Sequence, residues 1–158
     1  EYKLQRLIAE GAPIDGFGIG TRMDTAADHP YLDCAYKLTE YAGIPRLKRS
    51  EGKRTWPGRK QVFRSYDDHG MMVGDELTLE TAEAKGEPLL RKVMEGGKRI
   101  TTAEPLEAAR SRLEEQLHSL SPELLRLTQA PQPYAVSIGR PLKELADEAD
   151  KRIEHYLR

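Results

Sequence analysis

The sequence has little of several features that would point to particular classes of protein. Its 158 residues include one cysteine, Cys34, so no disulfide can form within the chain, and this is typical of a reducing cytoplasm. The formal net charge of −1 gives no overall attraction for nucleic acid or an anionic membrane. No apolar run approaches membrane-spanning length. We therefore expect a globular cytoplasmic protein that binds neither nucleic acid nor membrane.

Glycine, by contrast, is concentrated near the start of the chain. Residues 14–24 read IDGFGIGTRMD, with Gly16, Gly18 and Gly20 at alternate positions. Glycine lowers the stability of a regular element, so the spacing needs a reason: a turn with positive φ, or a backbone that closely approaches a ligand. It fits neither a Walker loop nor a G-x-G-x-x-G dinucleotide loop. Two interpretations stay open: a structural turn, or a loop whose amides and Thr21 hydroxyl hold a phosphate monoester.

Hydrophobic periodicity divides the chain into three predicted segments. Residues 1–31 begin with a helix capped by Gly11, and a short strand over residues 12–19 then leads into the glycines, as in an α/β unit. Residues 32–100 predict antiparallel strands within 34–41, 59–66 and 74–80, the first with Cys34, Tyr36 and Leu38 on one face. In the third strand, Leu77 and Leu79 lie on one face and Glu76, Thr78 and Glu80 on the other.

Residues 101–158 predict a mainly helical segment with one strand, residues 134–138. Thr101 and Glu104 have capping-box spacing before a helix, and Pro105 suits its first turn. Ser121 is expected to start a second, short helix, and Pro141 to open the closing helix. The first helix has an apolar stripe of Leu106, Ala109, Leu113 and Leu117, and the closing helix one of Leu142, Leu145, Ala149, Ile153 and Tyr156.

A second candidate site is the basic loop, residues 47–60, with the sequence LKRSEGKRTWPGRK. Its Lys and Arg side chains could neutralise a phosphate or pyrophosphate, with hydroxyls assisting. The candidate contacts to a phosphate or a partner subunit are Lys48, Ser50, Lys53 and Thr55. The alternative is a solvated hairpin tip whose charges serve solubility. Trp56-Pro57-Gly58 favours an anchored loop, since an indole before a Pro-Gly turn tends to fix it.

With both loops considered, the chain resembles the C-terminal part of nicotinate phosphoribosyltransferase. The matching stretches run in the family's order and cover nearly the whole chain. They are GAPIDGFGIGTRM, YKLTEYAGIPRLKRSEGKRTWPGRKQVFR, GDELTLE, GEPLLRKVMEGGKR and LEAARSRLEEQL. The resemblance implies an α/β and α+β fold of the type II phosphoribosyltransferase kind. The chain would supply the last part of an irregular α/β barrel, followed by an antiparallel β-rich segment and C-terminal helices.

The resemblance also implies a reaction. The family makes nicotinate mononucleotide from nicotinate and phosphoribosyl pyrophosphate, with coupled ATP hydrolysis and Mg²⁺, in NAD biosynthesis. It implies that Gly18, Gly20 and Thr21 hold the 5′-phosphate of the ribose moiety. The family's catalytic histidine belongs to motifs that precede these stretches, so no catalytic residue and no metal ligand is expected here. The chain is then expected to be inactive alone, to work with the remainder of the enzyme, and to form a homodimer or larger assembly.

Two alternatives stay open. One is a segment of a nicotinamide or quinolinate phosphoribosyltransferase, although the resemblance of residues 48–58 favours the nicotinate branch. The other is a non-catalytic nucleotide-binding or assembly module that keeps a phosphate loop without chemistry.

Overall fold

A computed structural model describes residues 1–25, 27, 30–31, 35–48 and 55–156. Its described residues form two compact units, Glu1–Lys37 and Leu38–Arg158. Both helices and strands occur, which confirms the mixed α/β class, whereas the barrel stays a prediction. No helix in these ranges has the length and apolar character needed to cross a membrane. The division into three segments also stays a prediction.

The first unit contains helix α1 (Tyr2–Ala9) and a single-turn helix α2 (Thr21–Asp24). Gly11 ends α1 as predicted, with φ of 69°. Its amide donates to Ile8 O at 3.0 Å and that of Ala12 to Leu7 O at 3.0 Å, which is the bonding pattern of a Schellman cap. The strand predicted over residues 12–19 is wrong: this stretch is irregular. A strand needs a neighbour to complete its ladder, and no strand is described within this unit.

The second unit is built on a four-stranded sheet of order β5-β3-β4-β8. Strands β3 (Lys60–Tyr66) and β4 (Met72–Leu79) form an antiparallel hairpin, which confirms two of the predicted strands. Strand β5 (Glu87–Pro88) pairs antiparallel to β3, and β8 (Val136–Ile138) lies parallel to β4. The antiparallel expectation is therefore correct for three strands, and the fourth returns in parallel after a helical segment.

Two small hairpins complete the strands. Strands β1 (Glu40–Tyr41) and β2 (Ile44–Pro45) pair across Ala42 and Gly43, both with positive φ, as a tight two-residue turn requires. The long strand predicted over residues 34–41 is thus reduced to two residues, and its Cys34 lies outside the described residues. Strands β6 (Met94–Glu95) and β7 (Lys98–Arg99) pair in the same way across two glycines.

The closing helix α4 (Arg140–Tyr156) supplies most of the core. Leu142, Ala146 and Ala149 are 0%, 0% and 2% exposed, at the i, i+4 and i+7 spacing of one helix face. The helix packs against β4, where Thr78 is 1% exposed. The polar face predicted for Thr78 is therefore not exposed at this position, since the Gly139 backbone just before α4 lies against Thr78.

Helix α3 (Leu106–His118) is also where the sequence predicts it, but its apolar stripe is not buried. Leu106 is 71%, Leu113 57% and Leu117 41% exposed. The predicted burial is wrong because, among the described residues of the unit, no other element covers these leucines enough to bury them. The capping box is also wrong: Pro105 is the N-cap without a side-chain cap bond, and Glu104 pairs with Arg112 instead. The short helix predicted from Ser121 is a series of turns.

Candidate functional site

The glycine loop, residues 16–21, lies beside a cavity of about 640 Å³ in the first unit. Gly18, Gly20 and Thr21 all line it, so the structure brings the three predicted residues together. The remaining lining residues are Glu1, Leu4, Phe17, Ile19 and Arg22. Of these, Arg22 is a cation that the sequence analysis did not select, although it follows Thr21 directly. The cavity thus combines apolar walls with a hydroxyl, a guanidinium and a carboxylate.

Nothing in the loop's own backbone geometry requires glycine. None of the three glycines has a positive φ, so the tight-turn explanation is wrong for this loop. A Cβ built on Gly16, Gly18 or Gly20 would meet no atom within 4 Å, so close packing against the described protein does not require glycine either. The positive-φ turn is therefore excluded as the reason for the spacing, and the approach to a ligand stays a prediction.

The backbone amides of the glycine loop are also potential hydrogen-bond donors. Within the described residues, the N–H groups of residues 16–20 donate no backbone hydrogen bond. The loop's carbonyls do bond onward: Gly20 O accepts from Asp24 N at 3.4 Å, and Thr21 O from Thr25 N at 2.9 Å. Backbone N–H groups without partners can donate to an anion. The loop therefore has backbone donors, a nearby cation and glycine at three of its six positions.

The basic loop lies in the second unit, and the structure describes only its two ends. Lys48 is exposed, and its amide donates to Thr55 Oγ1 at 2.7 Å, so this bond closes the base of the loop. These two predicted residues are therefore together. Ser50 and Lys53 lie outside the described residues. Their assignment as phosphate or inter-subunit contacts stays a prediction, as do those of Lys48 and Thr55.

The anchoring role predicted for Trp56-Pro57-Gly58 is confirmed. Pro57 is fully buried, and Gly58 has φ of 75° and donates its N–H to Thr39 O at 2.7 Å. A Cβ on Gly58 would lie 2.8 Å from Leu145 Cδ2 of α4, so the backbone needs glycine here for both its conformation and its packing. The anchor fixes the C-terminal end of the basic loop to the core.

Two cationic side chains at this end of the loop bond other groups of the same chain. Lys60 Nζ donates to Trp56 O at 2.9 Å and Gly58 O at 2.6 Å. Burial lowers the pKa of Lys60, and the negative charge of Glu40 opposes that effect. Arg59 Nε bonds Glu40 Oε1 at 3.1 Å. The local excess of positive charge that drew attention to this loop is thus smaller than the sequence suggests.

The second unit also contains a polar cluster that the sequence analysis missed. Arg64 donates to both carboxylate oxygens of Asp75 at 2.9 Å each, and Tyr134 OH donates to Asp75 Oδ1 at 2.8 Å. The Arg64 bond is the main reason why the pKa of Asp75 is lowered. The pKa of Tyr134 is raised, first by burial and then by its bond to Asp75. Every member of the cluster has a partner inside it.

Comparison with known proteins relates the chain to one enzyme family. A sequence model of the nicotinate phosphoribosyltransferase C-terminal domain matches residues 80–146. A nicotinate phosphoribosyltransferase of Mycobacterium tuberculosis is 43% identical over 148 residues, which is 92% of this chain. Over most of its length the chain is similar to nicotinate phosphoribosyltransferases. The enzyme of that name from Bos taurus is 32% identical over 177 residues, covering 96% of this chain. The resemblance seen in the sequence is therefore confirmed.

The match covers only part of each relative. The chain spans about a third of the length of the curated relatives: 32% of the Mycobacterium tuberculosis protein and 33% of the Bos taurus protein. A crystal structure of human nicotinic acid phosphoribosyltransferase superposes with a TM-score of 0.63 at 27% identity. That superposition covers 72% of this chain and 26% of the human one.

The family resemblance implies Mg²⁺ and ATP, so the residues present can be tested for a metal site. Among the described residues, no three His, Cys, Asp or Glu side chains come close enough to hold a metal ion. The described part of the chain therefore does not form a magnesium site by itself. Mg²⁺ in phosphoryl chemistry takes one or two carboxylates plus substrate phosphates, so most of its ligands need not come from this segment.

Proposed function

We propose that this chain is part of a nicotinate phosphoribosyltransferase, which forms nicotinate mononucleotide from nicotinate and phosphoribosyl pyrophosphate. In this proposal the chain supplies the last part of the α/β barrel and the site for the 5′-phosphate of the ribose moiety. ATP and Mg²⁺ dependence, a cytoplasmic location and assembly into a homodimer or larger oligomer are further parts of the proposal. The reported relatives favour the nicotinate branch over the nicotinamide and quinolinate branches.

The main support for the phosphate site comes from the backbone amides of the glycine loop. Its amides at residues 16–20 make no backbone hydrogen bonds in the described part of the chain, and Gly18 and Gly20 line the cavity next to Arg22. In the proposed site the amides of Gly18 and Gly20, the Thr21 hydroxyl and Arg22 donate to the phosphate oxygens. Binding the remote phosphate positions the ribose and contributes orientation rather than acid–base chemistry. Glu1 also lines this cavity and would repel an anion that approached it closely.

The test uses a joined chain, in which residues 1–158 replace the matching third of the Mycobacterium tuberculosis relative. Gly20→Val puts a β-branched side chain on the surface that the phosphate would contact. We expect binding of nicotinate mononucleotide, measured by calorimetry, to weaken about tenfold or more, about 1.4 kcal/mol. Gly16→Val is the matched control, because Gly16 is equally uncrowded but does not line the cavity. If Gly20→Val bound nicotinate mononucleotide as tightly as Gly16→Val, the glycine loop would not be part of the phosphate site.

The same joined chain tests the reaction itself. We expect it to form nicotinate mononucleotide from nicotinate and phosphoribosyl pyrophosphate. A joined chain that binds the mononucleotide at the glycine loop but shows no turnover would favour the non-catalytic nucleotide-binding module instead.

We propose separately that Lys48, Ser50, Lys53 and Thr55 contact a phosphate or a partner subunit's active site. The support is the rigid base of the basic loop, where the Lys48 amide bonds Thr55 Oγ1 and Pro57 is buried. Lys53→Ala is expected to weaken the binding of ATP or phosphoribosyl pyrophosphate at low salt. The effect should be smaller at high salt, because ions screen the charge. Lys85→Ala, which removes an exposed lysine outside both loops, is the control. Wild-type kinetics for Lys53→Ala at low salt would return the loop to the solvated-hairpin interpretation.

A further inference from the structure

The exposed side of α3 borders an open cavity that we call the leucine groove. Its volume is about 380 Å³, and six large apolar or aromatic side chains line it: Met72, Leu113, Leu117, Leu120, Leu124 and Tyr134. Gln116 and the Arg64–Asp75 pair complete the lining. An irregularity in the β3–β4 pairing explains why Met72 is there. Ser65 pairs with Gly74 but Tyr66 with Met72, so Val73 is an extra residue that turns Met72 toward the groove.

The wall of the groove is tied to the sheet, while two of its leucines stay exposed. Met72 N donates to Ser119 O at 2.7 Å, which ties the C-terminal end of α3 to β4. Leu113 is nevertheless 57% and Leu117 41% exposed. Exposing several leucines side by side on a firmly attached helix is unfavourable in water and marks a contact surface.

The polar residues of the groove select for an apolar occupant. The Asp75 carboxylate accepts two bonds from Arg64 and one from Tyr134, so this cluster satisfies its own charges. A charged ligand would have to break that pairing before it gained a partner. The lining thus offers apolar contact area and little unused charge. Because the leucine wall is open to solvent, it fits a protein segment better than an enclosed small molecule.

We infer that the leucine groove docks apolar side chains from the larger part of a nicotinate phosphoribosyltransferase, the two-thirds that in the relatives lies outside the matched region. This inference rests on the proposed function. A stable interface between separate copies needs about 20–30 residues a side, and six side chains fall well short of that. A segment of the same chain needs no such area, because covalent linkage gives it an effective concentration on the order of millimolar.

The experiment compares amide hydrogen exchange along α3 in residues 1–158 alone and in the joined chain. Docking should slow exchange in Leu106–His118 on the order of tenfold in the joined chain. Leu113→Lys should return exchange to the rate of the separate 158-residue chain, since it places a charge in the groove. Leu125→Lys is the matched control: Leu125 is 48% exposed but does not line the groove. If the joined chain does not fold, the same exchange is measured with the two parts mixed in trans.

Three outcomes would overturn the inference. The first is equal exchange of α3 with and without the larger part. The second is an equal effect of Leu113→Lys and Leu125→Lys. The third is protection of α3 in the 158-residue chain alone that rises with its concentration and disappears in Leu113→Lys, since a second copy would then be the occupant. Turnover of nicotinate separates the two proposals. If the joined chain is active but α3 is not protected, only the docking inference is contradicted. If α3 is protected but the joined chain is inactive, only the proposed function is contradicted.

Discussion

Replacing Asp75 with alanine should destabilise the second unit strongly. The carboxylate joins two elements, since it accepts two bonds from Arg64 of β3 and one from Tyr134, just before β8. The Arg64 and Asp75 side chains are only 18% and 13% exposed. Removing one partner of a fully buried pair costs about 3–5 kcal/mol. Because this pair is part-buried, we expect a loss of about 1–3 kcal/mol for the unmatched Arg64 charge. That is a large fraction of the roughly 5–15 kcal/mol that stabilises a typical domain.

Urea unfolding, followed by fluorescence of the single tryptophan, measures this change. Arg64→Leu combined with Asp75→Leu is the companion variant, because it removes both charges and fills the space with apolar atoms. Such replacements are often neutral or stabilising. We expect the double variant to unfold within about 2 kcal/mol of the wild type. A loss below about 1 kcal/mol for Asp75→Ala, or a double variant as unstable as the sum of the singles, would refute the reasoning.

Asp75 also determines the direction in which the free energy of unfolding should change with pH. The pKa of Asp75 is lowered by its bond from Arg64, and Tyr134 adds to that effect. A carboxylate with a lower pKa in the folded state stabilises the protein above its ordinary pKa of about 3.9, and this contribution is lost as the pH falls through the folded value. The difference in unfolding free energy between wild type and Asp75→Ala should therefore shrink as the pH falls below about 5. A constant difference down to pH 2 would contradict this.

The sequence predicted those elements whose hydrophobic pattern is local and long enough to be read. The long strands β3 and β4 and the helices α3 and α4 are of this kind. What it could not supply was the partner of each element. The irregular residues 12–19 carry a strand-like pattern, but the described part of their unit contains no strand to pair with them. Helix α3 has an apolar stripe that the described part of its unit leaves exposed. Thr78 is buried with the Gly139 backbone against it, and a period-two pattern carries no information about such a contact.

The candidate sites also contain some residues that the local sequence could predict and others that it could not. Gly18, Gly20 and Thr21 are neighbours in sequence, so their grouping around one cavity could be predicted, whereas a phosphate in that cavity remains a proposal. Arg22 could have been found from its place after Thr21. The bond from Tyr134 to Asp75 joins residues 59 positions apart, and no local signal predicts it. Contacts at that separation follow from how β8 returns beside β4, which only the folded chain reveals.

Three further substitutions test the close contacts around the sheet. Gly86→Ala should lower the free energy of unfolding by more than about 1 kcal/mol, since Gly86 has φ of 116° and a Cβ there would lie 2.4 Å from Arg64 O. Gly139→Ala should cost about 1–3 kcal/mol in thermal or urea unfolding, because its Cβ would lie 2.4 Å from Thr78 Oγ1; an unchanged midpoint would mean that the Gly139 backbone is not held there. Thr78→Val should leave stability unchanged or raise it by about 1 kcal/mol, since Thr78 Oγ1 is buried and finds no hydrogen-bond partner among the described residues. Valine keeps the shape and removes the unmatched hydroxyl, whereas Thr78→Ser, the control, keeps the hydroxyl and loses a buried methyl group worth about 1 kcal/mol. A valine variant less stable than the serine variant would show that the hydroxyl is bonded in solution, with a buried water as the candidate partner.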